Sequence, residues 1–399
     1  MDDIQNILGA MMRVAIDPQT AAVAIAVIGL NIHFGYTGLL NIGQSAFMLL
    51  GAYGFAISIT QGVPMFFAIL IGLALALVFA LVLGVPTLKL RGDYLAIVTI
   101  SAAEIIRYVG RSVGIGWLTD LTKGAQGIPG SQYRAPFTNL SFFGDGSTTL
   151  LPFNYTDVAG GSVVVRLIGW VVVIALIVLL VRIARGKVAL TGAARTGAMV
   201  GAVVVAALLA LFLVPVTQRN TGANGLWFTA VAWTVVGLSV LLLLGLTRSP
   251  WGRALRGVRE DEDAMRSLGK NVFAIKMQAL VIGGLFGALG GMMYVLPATV
   301  QPDSMGRTLT FFCYTALLLG GAATIWGPVL GSLIFYVGRA FVIAVSQTYL
   351  QDGSSPIGFM SNQQTQQFAF IVVGVALMLL VIFRPQGILG DKRELRFNV

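Results

Sequence analysis

Long apolar stretches dominate the chain, interrupted by short segments in which Gly, Pro and charged residues gather. Most run for roughly 18 to 22 residues, and a helix rising 1.5 Å per residue needs about 20 to cross about 30 Å of hydrocarbon. In chain order the pattern predicts helices near 18–36, 42–60, 63–84, 93–112, 163–181, 197–216, 225–246, 273–296, 309–324, 328–348 and 367–383. The expectation is an all-α, polytopic transmembrane helical bundle of about eleven spans (nine to eleven). The fourth stretch carries Glu104 and Arg107, and the ninth and tenth are parted only by Thr324-Ile325-Trp326-Gly327-Pro328. A broken or re-entrant element suits either place. A spanning β-barrel would instead need segments of about 10 residues alternating in polarity. Ahead of the first span, Ile4, Ile7, Leu8, Met11 and Met12 stand at helical spacing, which suits a short helix lying in the outer interface.

Composition narrows the class. Charged residues make up 11% of the 399 and hydrophobic ones 57%, which excludes a water-soluble domain, where about a quarter is charged. The net charge of +10 raises the question of nucleic acid, and the placement of the basic residues answers it. They concentrate in alternate loops: Lys89 and Arg91; Arg182, Arg185, Lys187 and Arg195; Arg248, Arg253, Arg256, Arg259, Arg266 and Lys270; Arg384, Lys392, Arg393 and Arg396. By the positive-inside rule these loops are cytoplasmic and the excess is topological, so no nucleic acid is expected. An odd number of spans then puts the N-terminus outside and the C-terminus in the cytoplasm. Met1-Asp2-Asp3 lacks the basic region of a signal peptide, so the first span is read as retained. The whole of 1–399 reads as one membrane domain with an external loop at 113–162, a helical hairpin at 163–216 and a cytoplasmic segment at 247–272. The external loop is long enough to cap the membrane part, or to serve only as a connection.

Catalytic chemistry finds little to work with. The phosphate-cradling pattern GxxxxGK[ST] is missing: Gly186-Lys187 and Gly269-Lys270 are followed by Val and Asn and lack the leading Gly. The single histidine, His33, has no acid or cysteine in its helix, and the single cysteine, Cys313, lies in an apolar run. No catalytic residue, metal ligand or bound cofactor is expected of this chain.

The 247–272 segment is distinctive instead. Pro250 suits a first helical position, and Leu255, Val258, Met265 and Leu268 align as an apolar seam. Arg253, Arg256 and Arg259 recur every third residue and run into Glu260-Asp261-Glu262-Asp263. A single amphipathic helix over about Gly252 to Leu268, basic then acidic, is predicted to dock into a groove on another protein. A solvated loop accounts for the arginines but not for four consecutive acids.

These residues resemble the ATPase-coupling segment of the branched-chain amino acid ABC transporter permease family. Other stretches agree with it in order: Gly35-Tyr36-Thr37-Gly38-Leu39-Leu40-Asn41-Ile42-Gly43-Gln44-Ser45-Ala46-Phe47, Leu90-Arg91-Gly92-Asp93-Tyr94-Leu95, Thr122-Lys123-Gly124-Ala125-Gln126-Gly127-Ile128 and Phe383-Arg384-Pro385-Gln386-Gly387. The family's pattern runs from the outer loop directly into the span at 225–246, so the pair at 163–181 and 197–216 is additional.

The resemblance implies a permease of the bacterial inner membrane that imports branched-chain or other hydrophobic amino acids. It implies a homologous second permease subunit, two ATP-binding cassette subunits that hold ATP and Mg, and an extracytoplasmic substrate-binding protein. Gly252, Arg253, Arg256, Arg259, Glu260, Asp261, Glu262 and Leu268 would form the ATPase-coupling surface. Urea or short amides are an alternative cargo, and an ion-coupled secondary transporter an alternative class; the latter needs titratable groups at mid-membrane, where Glu104 is nearly alone. Within the spans, Gly283, Gly287 and Gly291, then Gly327 and Gly331, repeat every four residues and predict close helix packing. Glu104 and Arg107, three apart, are expected to pair on one face. Arg339 has no acid in reach on its helix and is expected to face a partner subunit or a watery cavity. Asn41, Gln44, Ser45, Tyr94 and Thr99, polar groups beside Gly-rich breaks, are the candidates for the translocation pathway.

Overall fold

The computed structural model describes residues 2–88, 92–111, 116–143, 146–150, 216–220, 225–350, 361–383 and 386–390, with isolated positions between 171 and 182. The pair expected near 163–181 and 197–216 lies outside them. The described residues are helical apart from one antiparallel ribbon and an isolated bridge, Ile128 to Val300. In the ribbon, β1 (Ser147–Leu150) pairs with β2 (Val216–Arg219), Ser147 opposite Arg219 and Leu150 opposite Val216. This short ribbon is a local addition to an otherwise helical chain. The strands' β-branched residues suit pairing, and they bracket the additional segment, so the ladder closes its two ends together.

Helices occupy the other nine predicted stretches. In chain order they begin with α1 (Asp2–Ile16), α2 (Pro18–Leu30, continued as a π-helix over Asn31–Tyr36), α3 (Gln44–Thr60), α4 (Met65–Thr87) and α5 (Gly92–Arg111). A short α6 (Gly116–Thr122) precedes the ribbon. Then come α7 (Leu226–Arg248), α8 (Pro250–Glu260), α9 (Glu262–Ser267), α10 (Val272–Val295), α11 (Arg307–Gly320), α12 (Gly327–Tyr349) and α13 (Asn362–Phe383). Among the described residues five are long and apolar enough to cross a membrane: Pro18–Tyr36, Met65–Thr87, Leu226–Arg248, Val272–Val295 and Gly327–Tyr349.

The chain divides into two compact units. The larger comprises Ile16–Gly144, Thr221–Tyr336 and Gly374–Val399. Its centre is α2, started by Asp17, whose carboxylate accepts the Gln19 N–H at 2.8 Å, with Pro18 in the first turn. Residues Ala21 to Ile28 are apolar on every face and wholly buried, packed by α7, α10 and α11. α4 is one-sided by contrast. Ala68, Gly72, Ala76 and Ala80, four apart, face the core, while Phe66, Leu70, Val78 and Val82 are exposed. Small residues turned inward and large ones outward is the arrangement of a lipid-facing helix, because in hydrocarbon the helix contact is stabilised by close packing.

α10 lies between α2 and α3, and its glycines make that approach possible. A Cβ on Gly283 would strike the His33 ring, one on Gly287 would meet the Gln44 amide at 2.7 Å, and one on Gly291 would strike the Met48 carbonyl. Gly327 and Gly331 sit at the α11–α12 crossing, where a Cβ would run into the carbonyls of Gly321 and Ala316. The break between these helices holds Ala323 at φ +60, and the Thr324 hydroxyl bridges the Gly321 carbonyl (2.8 Å) and the Gly327 N–H (3.0 Å). After α13 the chain returns to cap α11: Ile388 and Leu389 donate to the carbonyls of Leu319 and Gly320, each at 3.0 Å.

The smaller unit comprises Met1–Ala15, Asp145–Asn220 and Val337–Val373. Within it Arg339 reaches Gln366 on α13 at 3.5 Å and stacks 4.8 Å over the Phe370 ring. The arginine expected to face a partner subunit or a cavity thus turns to a neighbouring helix of its own chain.

Candidate functional site

The 247–272 segment folds as two helices, not one. Ser249 caps α8, accepting the Gly252 N–H at 3.4 Å, and Leu255 and Val258 bury their side chains. Gly252 is tight against Thr247, where a Cβ would stand 2.6 Å from its Cα. The helix predicted across 252–268 breaks at Asp261, whose backbone is extended at φ −155, ψ 107. The Asp261 carboxylate caps α9 by accepting the N–H groups of Asp263 and Ala264, both at 2.9 Å. A capping carboxylate competes with helix continuation, which is why the run of acids ends one helix and starts the next. Glu262 pairs with the buried Lys276 of α10 and, at 3.5 Å, with Arg266, and Asp263 pairs with Arg266 at 2.9 Å. Three of the four acids therefore have roles inside the chain, and Glu260 stays exposed.

The seam is divided in the same way. Leu255 and Val258 are buried and Met265 packs on Gly257, whereas Leu268 is 73% exposed. Arg253 and Arg256 are exposed, while Arg259 turns inward and donates from Nη1 to the Gly35 carbonyl.

Gly35 belongs to the π-turn that ends α2, and the turn opens onto a buried polar junction. His33 Nε2 lies 3.1 Å from the Leu280 carbonyl and Nδ1 lies 3.0 Å from Asn41 Nδ2. A carbonyl only accepts and an amide nitrogen only donates, so the imidazole is neutral with its proton on Nε2. Asn41 accepts the Gly43 N–H at 2.9 Å and its own carbonyl takes the Tyr314 hydroxyl at 2.9 Å. Gln44 donates to the carbonyls of Ala26 (3.1 Å) and Gly283 (3.3 Å). Thr99 accepts the Ile42 N–H at 3.0 Å, and the Ser45 N–H donates to Thr310 at 3.0 Å.

Four of the five pathway candidates, Asn41, Gln44, Ser45 and Thr99, thus gather at one junction and are wholly or almost wholly buried with partners from this chain. Tyr94 stands apart, 60% exposed on α5. Asn31 completes the junction, donating to the Thr324 carbonyl and accepting the Ala323 N–H, both at 2.8 Å. Its amide bridges the α11–α12 break to the π-turn across almost 300 residues of sequence, a role with no local signal beyond its polarity in an apolar run.

Glu104 and Arg107 form an ion pair at 2.8 Å. Arg107 also pairs with Asp303, an acid in the loop before α11 that the sequence pattern had not singled out, and Arg111 stands 3.8 Å from the same carboxylate. The 113–162 loop, where described, is anchored: the Tyr133 hydroxyl donates to the carbonyls of Val295 (2.7 Å) and Ala298 (3.0 Å), and Arg134 Nε to that of Leu296 (2.8 Å). The Val295 carbonyl, which also accepts the Ala298 N–H, and the Leu296 carbonyl lie at the end of α10, where a cation is favoured, and that of Ala298 lies just beyond it. Burial pushes the Tyr133 phenol above its ordinary range, opposed in part by Arg134, so it stays protonated and donating.

The family profile described as branched-chain amino acid transport system / permease component matches residues 14–383. The high-affinity branched-chain amino acid transport system permease protein LivM of Escherichia coli K12 is 28% identical over 369 residues, 92% of this chain and 67% of that protein. LivM of Salmonella typhimurium LT2 is 27% identical over the same coverage. LivH of Salmonella typhimurium LT2, another permease protein of that name, is 30% identical over 176 residues, 44% of this chain and 51% of its own length. No solved structure matches. With one profile running from before the first long apolar helix to the end of α13, the chain belongs to the branched-chain amino acid transport permease family.

Proposed function

We propose that this chain is one of two permease subunits of an ATP-driven importer that carries branched-chain or other hydrophobic amino acids across the bacterial inner membrane. Its partners in this reading are a homologous second permease, two ATP-binding cassette subunits holding ATP and Mg, and an extracytoplasmic substrate-binding protein. The chain itself carries no cofactor. About eleven spans follow from the apolar stretches, and the N-terminus outside with the C-terminus cytoplasmic from the distribution of Lys and Arg, with 163–216 an additional hairpin and 113–162 external.

The observation that carries the reading is the outward face of α8 and α9. Arg253, Arg256, Glu260, Asp261 and Leu268 are exposed together, while Leu255 and Val258 anchor the segment to the core. A leucine left largely exposed among charges, on a segment whose Leu255 and Val258 are buried, suits a surface completed by a partner. ATP-driven closure of two ATPases would displace this segment and reorient the spans. The buried partners of Asn41, Gln44, Ser45 and Thr99 mean that any passage lined by them opens only when the junction rearranges.

Affinity purification in mild detergent, with the neighbouring genes co-expressed, tests the assignment. Recovery of a second permease and two ATPases is expected, with calorimetry of the binding protein against leucine, isoleucine, valine and urea naming the cargo. A lone chain that accumulates substrate in proteoliposomes under an ion gradient without ATP overturns it.

A further inference from the structure

We infer that Arg259, supported by Arg256, transmits movement of the coupling segment into the membrane core, and that the element it moves is the π-turn Asn31–Tyr36. The inference rests on the reading of α8 and α9 as the docking segment and adds the route by which a push on them travels.

The contact is made at a place suited to bear it. Beyond the π-turn the chain leaves helical geometry: the Leu39 N–H turns back to the His33 carbonyl (2.8 Å) and the Thr37 hydroxyl to that of Ile32 (2.8 Å). The Gly35 carbonyl is among those a helix end leaves open, and Arg259 donates to it. A cation there also suits the negative end of the helix dipole. The backbones approach closely at the next step, because Gly38 sits at φ +75 and a Cβ on it would lie 3.2 Å from Arg259 Cγ and 3.7 Å from Arg259 Cα. Arg256 adds a second point, its guanidinium 5.5 Å from the centre of the Tyr36 ring. Two successive turns of α8 therefore bear on two successive residues of the π-turn.

What the π-turn holds explains why displacement there matters. Asn31 ties it to the α11–α12 break, and His33 ties it to α10 through Leu280 and to the start of α3 through Asn41. Gly35 is packed so closely that a Cβ would strike Asn31 Oδ1 and stand 2.6 Å from Ala323 N. A shift of Gly35 is therefore felt at the Asn31 amide and through it at Ala323, which is already held in the left-handed region. A π-turn holds an extra residue relative to α-helix, so a change to α geometry that expels it would turn the following chain by about 100°. That rotation would carry Asn41, Gln44 and Ser45 out of the arrangement seen here. Arg259 is thus a positioning residue, acting on the pathway candidates through the turn.

The test uses the full complex in lipid nanodiscs and proteoliposomes, with Arg259→Ala, Arg259→Lys and Arg256→Ala. Two quantities are read: leucine accumulated per ATP hydrolysed, and the ATP-dependent change in deuterium uptake of residues 31–41, which does not depend on cargo. Arg259→Ala is expected to retain its ATPases, lose at least tenfold in leucine per ATP and lose the deuterium response. Arg259→Lys, which still offers a donor to the carbonyl, is expected to recover much of both. Should Arg259→Ala fail to insert, Arg256→Ala, which removes the contact with the Tyr36 ring and is expected to lower both, carries the same readouts. A wild-type ratio and deuterium response in Arg259→Ala, or in Arg256→Ala where the former cannot be made, overturns the relay and leaves the docking assignment standing. Failure of the wild-type chain to recover any ATPase removes the docking assignment and the relay with it.

Discussion

At the scale of single residues, the side chains that matter most in this permease are those for which nothing else fits. Gly291 lies so near Met48 that a methyl group would strike its carbonyl, whereas Gly237, in α7, has open space around its Cα. Gly291→Ala is expected to lower the apparent Tm in detergent by an amount equivalent to roughly 1–3 kcal/mol, the usual cost of overpacking, and Gly237→Ala to leave it unchanged or raised. Thermal unfolding followed by fluorescence distinguishes them. Glu104 and Arg107 are mostly buried side chains, 22% and 16% exposed, and Asp303 shares the guanidinium. Glu104→Gln is expected to weaken the protein by about 1 kcal/mol while leaving cargo preference unaltered, as measured by unfolding and by competition transport. Changed preference with unchanged stability would move Glu104 into the pathway. The spacing of Glu104 and Arg107 made their pairing expected, but Asp303, almost 200 residues away, had no local signal.

At the scale of elements, the 116–143 loop and the 247–272 segment teach the same lesson about helix ends. Tyr133 and Arg134 satisfy the last carbonyls of α10. Tyr133→Phe takes the phenol donor from the Ala298 carbonyl and from that of Val295, which keeps the Ala298 N–H, a loss of about 1–3 kcal/mol. Faster cleavage of the 113–143 region by an added protease is the expected result, with α8 and α9 unaffected. In the coupling segment, Asp261→Ala removes the cap of α9 at a cost of about 1 kcal/mol. Faster hydrogen exchange over 262–268 is the outcome to look for. The apolar spacing made an amphipathic helix legible, and Leu255 and Val258 occupy the core as that pattern requires. The break at Asp261 was not evident, because Asp can continue a helix or cap one, and the choice here is coupled to the Glu262 to Lys276 ion pair.

At the largest scale, the larger unit has a buried first span, α2, packed by α7, α10 and α11, while α4 and α7 carry apolar residues on exposed faces. Leu238, Leu241 and Leu242 of α7 and Val78 and Val82 of α4 are the kind of surface that lipid or a second permease covers. Charge reversal on the free face of the coupling segment, Arg253→Glu, is expected to reduce recovery of the ATPases at least tenfold without loss of the chain from the membrane fraction. Recovery and transport equal to wild type would place the docking surface elsewhere.

The sequence alone determined the helices, because a bilayer offers no partner for backbone N–H and C=O groups and an apolar run long enough to cross it has to satisfy them internally. A helix start followed from Pro250, and the family from motifs spread in order along the chain. Only the tertiary structure decided which polar residues meet: Asn31 with Ala323 and Thr324, His33 with Leu280, Arg107 with Asp303, Arg259 with Gly35. Each of these pairs joins positions about 200 to 300 residues apart. Periodicity reports which face of a helix is apolar, but a buried polar group is satisfied by whichever donor or acceptor packing brings to it, and that is settled only when the helices have found their neighbours.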